Sequence, residues 1–461
     1  MKYRLYICSL LMLQFMSLPC IAQNPIIQTR FTPDPAPYVH GDTIYLFVDH
    51  DEPNAQGYEM RDWLLYISTD MVNWTYRGTP LSPKIFSWAR QDNDCWASQA
   101  VERNGKWYWY VAAGDLERHR HGIGVAVADR PEGPWHDPLG HPLIPGNDGY
   151  IDPSIFVDDD GQAYLCWGNS GLWYARLNDD MITLRDSIMS IDVEDTLAFG
   201  PHVLKHDHVR NVDRVFTRFE EAPWLYKYNG RYYLEYAAGG APEHWAYSTA
   251  DHPMGPWHFQ GRIMDEAENS FTIHGGSIRI QGRNFMFYHN GTLTGGSSFS
   301  RASCVEEFQY NADGTIPFIP FTTEGVRTPL RNLNPYKRVE AETMADSRGL
   351  DTDTLAGPFH YVTNIDDGDW QRIRSIDWNR QSHRFTTCTR VYIPCILELR
   401  TDSPDGDIIG TVTLKPTYGQ WKQTSTRINP PQGTHDLYII YRAAYTSNKV
   451  HLLDFDWWQV Q

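Results

Sequence analysis

The stretch Asn229-Gly-Arg-Tyr-Tyr-Leu-Glu-Tyr-Ala-Ala238 decides the fold class, because an Asn-Gly turn leads directly into an aromatic, strand-forming run. A glycine followed three or four residues later by an aromatic that opens such a run occurs five times. Successive glycines are 64, 56, 69 and 52 residues apart, close to the length of a four-stranded β-meander. The pattern predicts an all-β fold, a five-bladed β-propeller. The five instances are Gly41-Asp-Thr-Ile-Tyr45, Gly105-Lys-Trp-Tyr108, Gly161-Gln-Ala-Tyr164, Gly230-Arg-Tyr-Tyr233 and Gly282-Arg-Asn-Phe285.

A second recurring element centres on tryptophan and follows another strand-like segment each time. It predicts the outer strands of a blade. The pattern stops after the last repeat, so residues 23–325 are assigned to the propeller and residues 326–337 to a linker. Residues 338–461 carry strands at the spacing of a β-sandwich of the jelly-roll kind. The tryptophan elements are Asn73-Trp-Thr-Tyr-Arg-Gly78, Gly133-Pro-Trp-His136 and Gly255-Pro-Trp-His258.

The bulk composition narrows the class of function. The chain has 461 residues, more than one hydrophobic core usually supports, so at least two domains are expected. Aromatics make up 14% and charged residues 21%, which excludes a disordered or coiled-coil chain. The net charge of −17 disfavours nucleic acid and anionic membranes as partners and favours a neutral substrate. We expect a monomer.

Residues 1–22 have the form of a secretory signal peptide. Lys2 and Arg4 supply the positive end, and the apolar run that follows is too short to span a bilayer comfortably. Small residues precede a cut before Gln23, so the mature chain is expected to be secreted or periplasmic. Cys20 offers a surface lipoprotein as the alternative, which Pro19 disfavours.

Five cysteines follow this segment, too few and too scattered for a disulfide framework. Cys388 and Cys395 could pair, but buried apolar roles are favoured for all five. None of them has the spacing of a zinc site. The five are Cys95, Cys166, Cys304, Cys388 and Cys395.

A polar group stands seven to nine residues before four of the five glycines: Asp34, Asp152, Glu221 and His274. Because the innermost strands of a propeller start around one channel mouth, these groups are expected to converge. Three crowded carboxylates cannot all ionise at ordinary pKa values. One protonated and one ionised carboxyl are what glycosidic-bond hydrolysis needs. In the second blade the same offset offers Ser98 or Gln99 beside Trp96, which favours substrate contacts there.

Chemistry alone does not choose between Glu220 and Glu221. The Ala-Pro that follows Glu221 matches the Pro-Ala and Pro-Ser that follow Asp34 and Asp152, which favours Glu221. Each carboxylate stands beside or one residue from a proline, whose fixed φ helps to aim the side chain.

These motifs resemble glycoside hydrolase family 43 over residues 25–320. The resemblance is carried by Asp34-Pro-Ala-Pro-Tyr, Asp152-Pro-Ser-Ile-Phe, Glu221-Ala-Pro-Trp-Leu-Tyr-Lys, Tyr288-His-Asn-Gly and Arg301-Ala-Ser-Cys-Val-Glu306. It implies a five-bladed propeller that cleaves arabinofuranosyl or xylosyl linkages with inversion.

By this resemblance, Asp34 is the general base, Asp152 orients the acid and raises its pKa, and Glu221 is the general acid. Inversion implies that the base and acid carboxyls stand roughly 6.5–9.5 Å apart. The resemblance also implies that His274 lies in the channel, beside the acid site or on a metal ion. Trp96 and Arg301 are expected to shape the first sugar pocket by stacking and by bonding hydroxyls.

The resulting prediction is an exported α-L-arabinofuranosidase acting on plant arabinoxylan or arabinan. The alternatives are a β-D-xylosidase or an enzyme with both activities, then an endo-arabinanase. Retaining β-fructosidases are excluded, because their Trp-Met-Asn-Asp-Pro-Asn-Gly start and Arg-Asp-Pro motif are missing here. A sugar-binding propeller without activity is the non-enzyme alternative, which the presence of all three carboxylates disfavours.

Residues 338–461 resemble carbohydrate-binding module family 6. The matching stretches include Val339-Glu-Ala-Glu342, Asn364-Ile-Asp-Asp-Gly-Asp-Trp370 and Asp454-Phe-Asp-Trp457. The resemblance implies a structural Ca²⁺ held by Glu340, Glu342 and Asp456, whose hard oxygen ligands suit that ion. Family members often place an aromatic where this chain has Asn364, so sugar binding and a purely structural role both stay open. The remaining candidates for ligand binding are Tyr418, Trp421 and Asn448.

Overall fold

The computed structural model describes residues 23–207, 211–216, 218–380, 384–445 and 451–461. Antiparallel β-strands make up nearly all of its regular structure, as predicted. Helix within these ranges is confined to one short α-helix, α1 (Thr196–Phe199), and one 3-10 turn (Pro83–Ile85). Across the described ranges, no helix has the length and apolar character needed to cross a bilayer.

Five antiparallel sheets follow one another along the first 308 residues, and in each the strands pair in chain order. The first sheet has β1 (Ala36–His40), β2 (Thr43–Asp51), β3 (Met60–Ser68) and β4 (Trp74–Tyr76), and the second has β5 (Cys95–Arg103), β6 (Lys106–Asp115) and β7 (Arg120–Ala128). The third has β8 (Ser154–Val157), β9 (Ala163–Trp167), β10 (Leu172–Leu177) and β11 (Met189–Ile191).

Helix α1 and a separate hairpin of β12 (Val203–Asp207) and β13 (Val212–Phe216) lie between the third and fourth sheets along the chain. The glycine and tryptophan patterns did not predict this insertion. The fourth sheet has β14 (Phe219–Tyr228), β15 (Arg231–Ala238), β16 (His244–Ala250) and β17 (His258–Glu266), and the fifth has β18 (Gly276–Ile280), β19 (Arg283–Asn290) and β20 (Ala302–Phe308).

Each repeated glycine sits in the turn between the first and second strands of its sheet. Gly230, for example, has φ +78°, and a Cβ added to it would meet nothing within 4 Å. The turn therefore selects glycine for its left-handed backbone and not for lack of space. The aromatic after each glycine lies in the second strand of its sheet. The tryptophan elements supply β4 and β17, and His136 forms a bridge to Val127 beside β7.

Hydrogen bonds join the first strands of successive sheets. The Tyr38 hydroxyl donates to the Glu102 carbonyl oxygen at 3.3 Å, and Ile155 N donates to Gln99 Oε1 at 2.7 Å. These two bonds link the first sheet to the second and the second to the third. Further along, Leu225 N donates to Ser154 Oγ, Trp224 Nε1 donates to the Ser277 carbonyl oxygen, and Asp34 N contacts His289 Nδ1.

The C-terminal part is a β-sandwich around one core that contains Trp378, Phe385 and Trp458. One sheet, in spatial order, has β24 (Asp351–Ala356), β25 (Phe359–Thr363), β32 (Leu453–Val460), β27 (Arg384–Val391) and β30 (Lys422–Arg427), with β21 (Val339–Glu340) paired to β32. The other has β23 (Asp346–Arg348), β26 (Trp370–Asp377), β31 (Thr434–Ala443), β28 (Cys395–Thr401) and β29 (Ile408–Leu414).

The two parts are joined by strand pairing and not by a flexible tether alone. Strand β22 (Thr343–Met344) belongs to the C-terminal part but pairs with β4, so it extends the first sheet. Asn73 exchanges hydrogen bonds with the backbone of Arg374 at 2.8 and 3.0 Å. The Arg374 guanidinium also donates to the carbonyl oxygens of Val326 and Arg327, within the predicted linker.

All five cysteines of the described residues are free and buried. This confirms the apolar role expected for them, and Cys388 and Cys395 do not pair. Burial raises the pKa of the Cys395 thiol to about 12, so it stays protonated at neutral pH.

Candidate active site

A pocket of about 420 Å³ opens where the first strands of the five sheets begin. This volume is in the range of small-ligand sites. Six residues that the sequence analysis gave catalytic or substrate roles line it, so their predicted convergence is observed. They are Asp34, Trp96, Asp152, Glu221, His274 and Arg301. Ser98 and Gln99 do not line the pocket, because Trp109 Nε1 donates to Ser98 Oγ and Ile155 N donates to Gln99 Oε1.

The backbone at the pocket adopts conformations that L-residues rarely take. Asp34 has φ +51° and Asp152 has φ +58°, and each precedes a proline by one residue. Ala222, directly after Glu221, has φ +57°. Aspartate tolerates this region better than most residues, and such strain, worth about 1–3 kcal/mol, clusters at functional sites. Asp34 and Asp152 come just before β1 and β8, and Ala222 lies near the start of β14. Each strained residue is therefore either a pocket carboxylate or the neighbour of one.

Asp34 is surrounded by positive and neutral nitrogen atoms. Arg301 Nη1 lies 3.3 Å from Asp34 Oδ1, His289 Nδ1 lies 3.0 Å from it and His274 Nδ1 lies 3.7 Å from it. Burial alone would raise the pKa of Asp34, but the Arg301 charge and the His289 contact hold it well below its usual range. Asp34 is therefore ionised at neutral pH and can accept a proton.

Arg301 is itself buried, with 3% of its surface exposed. Its Nε and Nη2 donate to the two oxygens of Asp51 at 2.9 and 3.0 Å, a bidentate pair. The Cζ atom of Arg301 lies over the Tyr58 ring, 5.1 Å from its centre. Sequence reasoning expected Arg301 to bond sugar hydroxyls. In the structure its bonds run mainly to carboxylates, because a buried guanidinium needs anionic partners.

Glu221 has the opposite electrostatic environment from Asp34. Its Oε2 accepts a hydrogen bond from the Asn169 side-chain amide. Burial raises the pKa of Glu221 to about 7, the Asn169 hydrogen bond opposes the rise, and the Glu220 charge adds to it. A carboxyl with this pKa holds its proton below neutral pH and can donate it.

Asp152 holds the backbone next to Glu221. Its Oδ2 accepts a hydrogen bond from Ala222 N at 2.9 Å. Burial, followed by the charges of Glu221 and Asp34, raises the pKa of Asp152 well above its usual range. Because the bonded amide directly follows Glu221, Asp152 restricts where the Glu221 carboxyl can point.

Trp96 stacks on His121, with ring centres 3.8 Å apart, and Tyr58 contacts the Trp96 ring at 5.7 Å edge-on. Burial lowers the pKa of His121 to about 4, so this imidazole is neutral at neutral pH. One wall of the pocket is therefore an uncharged aromatic surface, which suits the apolar face of a sugar ring. Burial also lowers the pKa of His274 to about 4, so that histidine is neutral as well.

Glu220, the alternative to Glu221, also lines the pocket, and its Oε1 lies 3.4 Å from Ser170 Oγ. Several other residues at the site were not predicted from the sequence. Glu243 Oε2 accepts a hydrogen bond from Ile273 N at 3.1 Å. Asn169 follows β9, and its position after a second strand matches no repeated offset. His289 stands inside the quoted Tyr288-His-Asn-Gly motif, which was a signal that could have been used.

Of the three residues suggested for sugar binding by the module, the structure describes Tyr418 and Trp421. Tyr418 is 91% exposed, and Asn448 lies outside the described residues. Trp421 packs against Phe359 and Tyr361, with ring centres 5.3 and 5.6 Å away, and Arg390 lies 4.9 Å from its ring. The Trp421 ring is thus largely covered by neighbours of its own module.

The three proposed calcium ligands lie close together at the start and end of the module. Arg338 donates to Glu340 at 2.7 Å and to Asp456 at 3.0 Å. Glu342 Oε2 is buried and has no hydrogen-bond partner in the described structure. Burial, followed by the charges of Glu340 and Asp456, raises the pKa of Glu342 well above its usual range. Within the described residues, no three His, Cys, Asp or Glu side chains are arranged as a metal-binding cluster, either here or near His274.

Comparison with known proteins places this geometry in a family. The model of glycosyl hydrolases family 43 matches residues 22–316, and that of carbohydrate binding module family 6 matches residues 340–461. An arabinoxylan arabinofuranohydrolase of Paenibacillus polymyxa is 29% identical over 95% of this chain and 74% of its own length. A xylosidase/arabinosidase 43A of Humicola insolens is 31% identical over 63% of this chain and 98% of its own length.

A solved structure extends the similarity to both parts of the chain. It is a crystal structure of a glycoside hydrolase family 43 arabinoxylan arabinofuranohydrolase from Bacillus subtilis in complex with cellotetraose. It matches with a TM-score of 0.78 and 26% identity, and covers 95% of this chain and 97% of that one. The family model alone spans more than half of the sequence, including every propeller residue that lines the pocket. The chain therefore belongs to glycosyl hydrolases family 43.

Proposed function

We propose that this glycosidase hydrolyses its substrate with inversion, using Asp34 as the general base and Glu221 as the general acid. The observation that carries the proposal is that one pocket holds two buried carboxyls in opposite surroundings, Asp34 against Arg301 and His289 and Glu221 against the neutral amide of Asn169. Asp34 is held ionised beside Arg301, whereas burial raises the pKa of Glu221 to about 7. A base and an acid that coexist at neutral pH are the requirement for single-displacement hydrolysis.

In the proposed reaction Asp34 accepts a proton from the attacking water while the oxygen of that water forms a bond to the anomeric carbon. Glu221 gives its proton to the departing glycosidic oxygen on the opposite side of the sugar. Asp152 acts on Glu221 through the Ala222 amide, whose hydrogen bond to Asp152 fixes the backbone next to the acid. A separation of roughly 6.5–9.5 Å between the base and acid carboxyls stays a prediction.

We propose α-L-arabinofuranosyl side groups of arabinoxylan as the substrate. The Paenibacillus polymyxa and Bacillus subtilis relatives, both arabinoxylan arabinofuranohydrolases, support this choice over 95% of the chain. β-D-Xylosidase activity is the second candidate, because the xylosidase/arabinosidase of Humicola insolens is similar over 63% of the chain. Arabinan as substrate, and an endo-arabinanase, are weaker alternatives that no relative described above supports.

We further propose that the five sheets close into a five-bladed propeller. The support is a series of hydrogen bonds between first strands from the first sheet through the fifth, together with the bond from Asp34 N, just before β1, to His289 Nδ1 on β19 of the fifth sheet. A closed ring would leave only short, protected strand edges. It would also explain why the pocket draws residues from all five sheets.

For the module we propose a structural Ca²⁺ held by Glu340, Glu342 and Asp456. Three carboxylates are hard oxygen donors of the kind calcium prefers, and the buried, unpartnered Glu342 Oε2 fits such a role. When bound, the ion would neutralise repulsion among these carboxylates, which join β21 to β32. Sugar binding by Tyr418, Trp421 and Asn448 remains a prediction, as do export through residues 1–22 and a monomeric state.

The test compares Glu221→Gln with its matched neighbour Glu220→Gln, both purified and checked for folding by thermal unfolding. On arabinoxylan, Glu221→Gln should lose nearly all turnover, and Glu220→Gln should retain a larger share. Glu221→Gln should lose much less on an aryl arabinofuranoside with a good leaving group, because a stable aryloxide departs without a proton. Wild-type turnover in Glu221→Gln would remove this residue from the acid role.

Substrate class and stereochemistry need separate measurements. Release of 4-nitrophenol from the α-L-arabinofuranoside but not from the β-D-xyloside would support the proposed specificity, and the reverse would favour the second candidate. No release of 4-nitrophenol from either glycoside, together with cleavage of linear arabinan, would indicate an endo-enzyme. Proton NMR of the first sugar formed reads its anomer directly, and retention of configuration would refute the proposed single displacement.

A further inference from the structure

Strand β2 presents two buried aspartates to the same side, because residues two apart on a strand share a face. Asp49 and Asp51 both have no exposed surface. Asp51 is accounted for by its bidentate pair with Arg301. Asp49 has no such partner, and a fully buried carboxyl without one needs an explanation.

The backbone places Asp49 beside Asp34. Strands β1 and β2 are paired as far as Ala36 and Phe47. Beyond that pair the register shifts, and Asp49 N donates to the carbonyl oxygen of Pro33, the residue next to Asp34, at 3.3 Å. Two carboxylates buried this close to each other repel if both are charged.

Nearby cations cannot neutralise both carboxyls. Arg301 commits Nε and Nη2 to Asp51, and its Nη1 lies 3.3 Å from both Asp34 Oδ1 and Thr272 Oγ1. Neither carboxyl oxygen of Asp49 has a hydrogen-bond partner in the described structure. Burial, followed by the charge of Asp34, raises the pKa of Asp49 well above its usual range.

We propose that Asp49 is a positioning residue that stays a carboxylic acid and donates its proton in a hydrogen bond to the carboxylate of Asp34. The inference rests on the proposed role of Asp34 as the base. This hydrogen bond removes the repulsion between two negative charges at Asp34 and Asp49. It gives the buried Asp49 hydroxyl a hydrogen-bond partner. It also fixes which Asp34 oxygen is left free to face water.

Other groups near Asp49 do not replace this bond. Its charged and titratable neighbours are Asp34, Asp51, Arg301 and the Cys95 thiol. Burial raises the pKa of Cys95, so the thiol is neutral and only a weak hydrogen-bonding group. Asp51 is occupied by Arg301, which leaves the Asp34 carboxylate as the strong acceptor.

The first test compares Asp49→Asn with Asp49→Leu. Asparagine keeps a side-chain donor toward Asp34, whereas leucine fills a similar volume without one. Asp49→Asn should keep kcat within a few-fold of wild type, and Asp49→Leu should lose about tenfold or more in kcat with little change in KM. If Asp49 only filled space, the two variants would have equal kcat, and the proposal would fall.

The acid limb of the pH profile of kcat/KM gives an independent reading. Loss of the donor in Asp49→Leu should raise the pKa of Asp34 and move this limb to higher pH, while Asp49→Asn should leave it in place. If Asp49 were ionised in the wild type, Asp49→Asn would remove a negative neighbour and move the limb to lower pH. That result would overturn the proposal.

A spectroscopic test covers the case in which Asp49→Leu fails to fold. The infrared difference spectrum of wild type minus Asp49→Asn at neutral pH should show the C=O stretch of a protonated carboxyl. A carboxylate stretch in its place would refute the protonated state. This reading needs no activity, so it stands even if Glu221→Gln or an Asp34 variant shows that the proposed function is wrong.

Discussion

Nη1 of Arg301 lies 3.3 Å from Oδ1 of Asp34, while the other two donor nitrogens of the same guanidinium hold Asp51. The pKa of Asp34 is lower in the folded than in the unfolded chain. Its contribution to stability is therefore present above the unfolded pKa and is lost as the pH falls through the folded value. This ion pair thus supports both the ionised base and the fold near neutral pH.

Replacing Arg301 by methionine should raise the pKa of Asp34, because only the histidine contacts then oppose the effect of burial. Turnover should fall at least about a hundredfold at neutral pH, and the acid limb should move to higher pH. Loss of one partner of a buried pair should lower the free energy of unfolding by about 3–5 kcal/mol. Arg301→Lys keeps the positive charge but cannot make the bidentate hydrogen bonds of a guanidinium. Its turnover and its free energy of unfolding should therefore lie between those of the methionine variant and the wild type. A methionine variant with the wild-type pH profile would contradict this role.

The pKa of Glu221, which the hydrogen bond from Asn169 lowers, determines the alkaline side of the pH profile. Burial raises the pKa of Glu221 to about 7, and a general acid is active only while protonated. Activity of the wild type should therefore decline as the pH rises through about 7. Asn169→Ala removes a bond that lowers this pKa, so the alkaline limb of kcat/KM should move to higher pH. A shift to lower pH would show that Asn169 stabilises the protonated form instead.

Calcium should stabilise the module measurably. Ligand binding to the folded state alone adds about 2.7 kcal/mol at a free concentration one hundred times Kd. Addition of Ca²⁺ should raise Tm, EDTA should reverse the rise, and Glu342→Gln should abolish it by removing the buried, unpartnered oxygen. Glu398→Gln, on β28 and paired with Arg400, is the matched control and should keep the calcium response. An equal response in both variants would exclude Glu342 as a ligand.

The contact between Gly78 and His360 should matter for the junction of the two parts. A Cβ at Gly78 would lie 2.6 Å from His360 Cε1, and φ there is +89°. Gly230 has a similar φ of +78° but open space around it, so Gly230→Ala reports backbone strain alone, about 1–2 kcal/mol. Gly78→Ala should cost more than this in urea unfolding. The double variant with His360→Ala should recover the difference, and equal losses in the two single variants would refute the clash.

Much of the site was predictable because it repeats. The offset between each glycine turn and a polar residue at or just before the start of the first strand identified Asp34, Asp152 and Glu221 among 57 acidic residues. The structure brings these three into one pocket. The turn glycines could be recognised because a left-handed backbone restricts the residue type so strongly.

The residues that tune these carboxylates follow no repeated offset. Asn169, His289 and Asp51 come from second strands or the turns after them, and they reach the pocket only through the pairing of distant segments. Arg301 was recognised, but its carboxylate partners were not, because Asp51 is 250 residues away in sequence. Short-range pattern reading has no access to such pairs.

The addition of β22 to the edge of β4 bears on how this protein can be divided. An unpaired edge strand offers its backbone donors and acceptors to any other chain, which promotes aggregation. In the intact chain Thr343 and Met344 occupy that position beside Thr75 and Trp74. A catalytic fragment that ends near residue 325 would leave β4 uncovered. We therefore expect such a fragment to aggregate more readily than the intact chain, because the module supplies the strand that covers this edge.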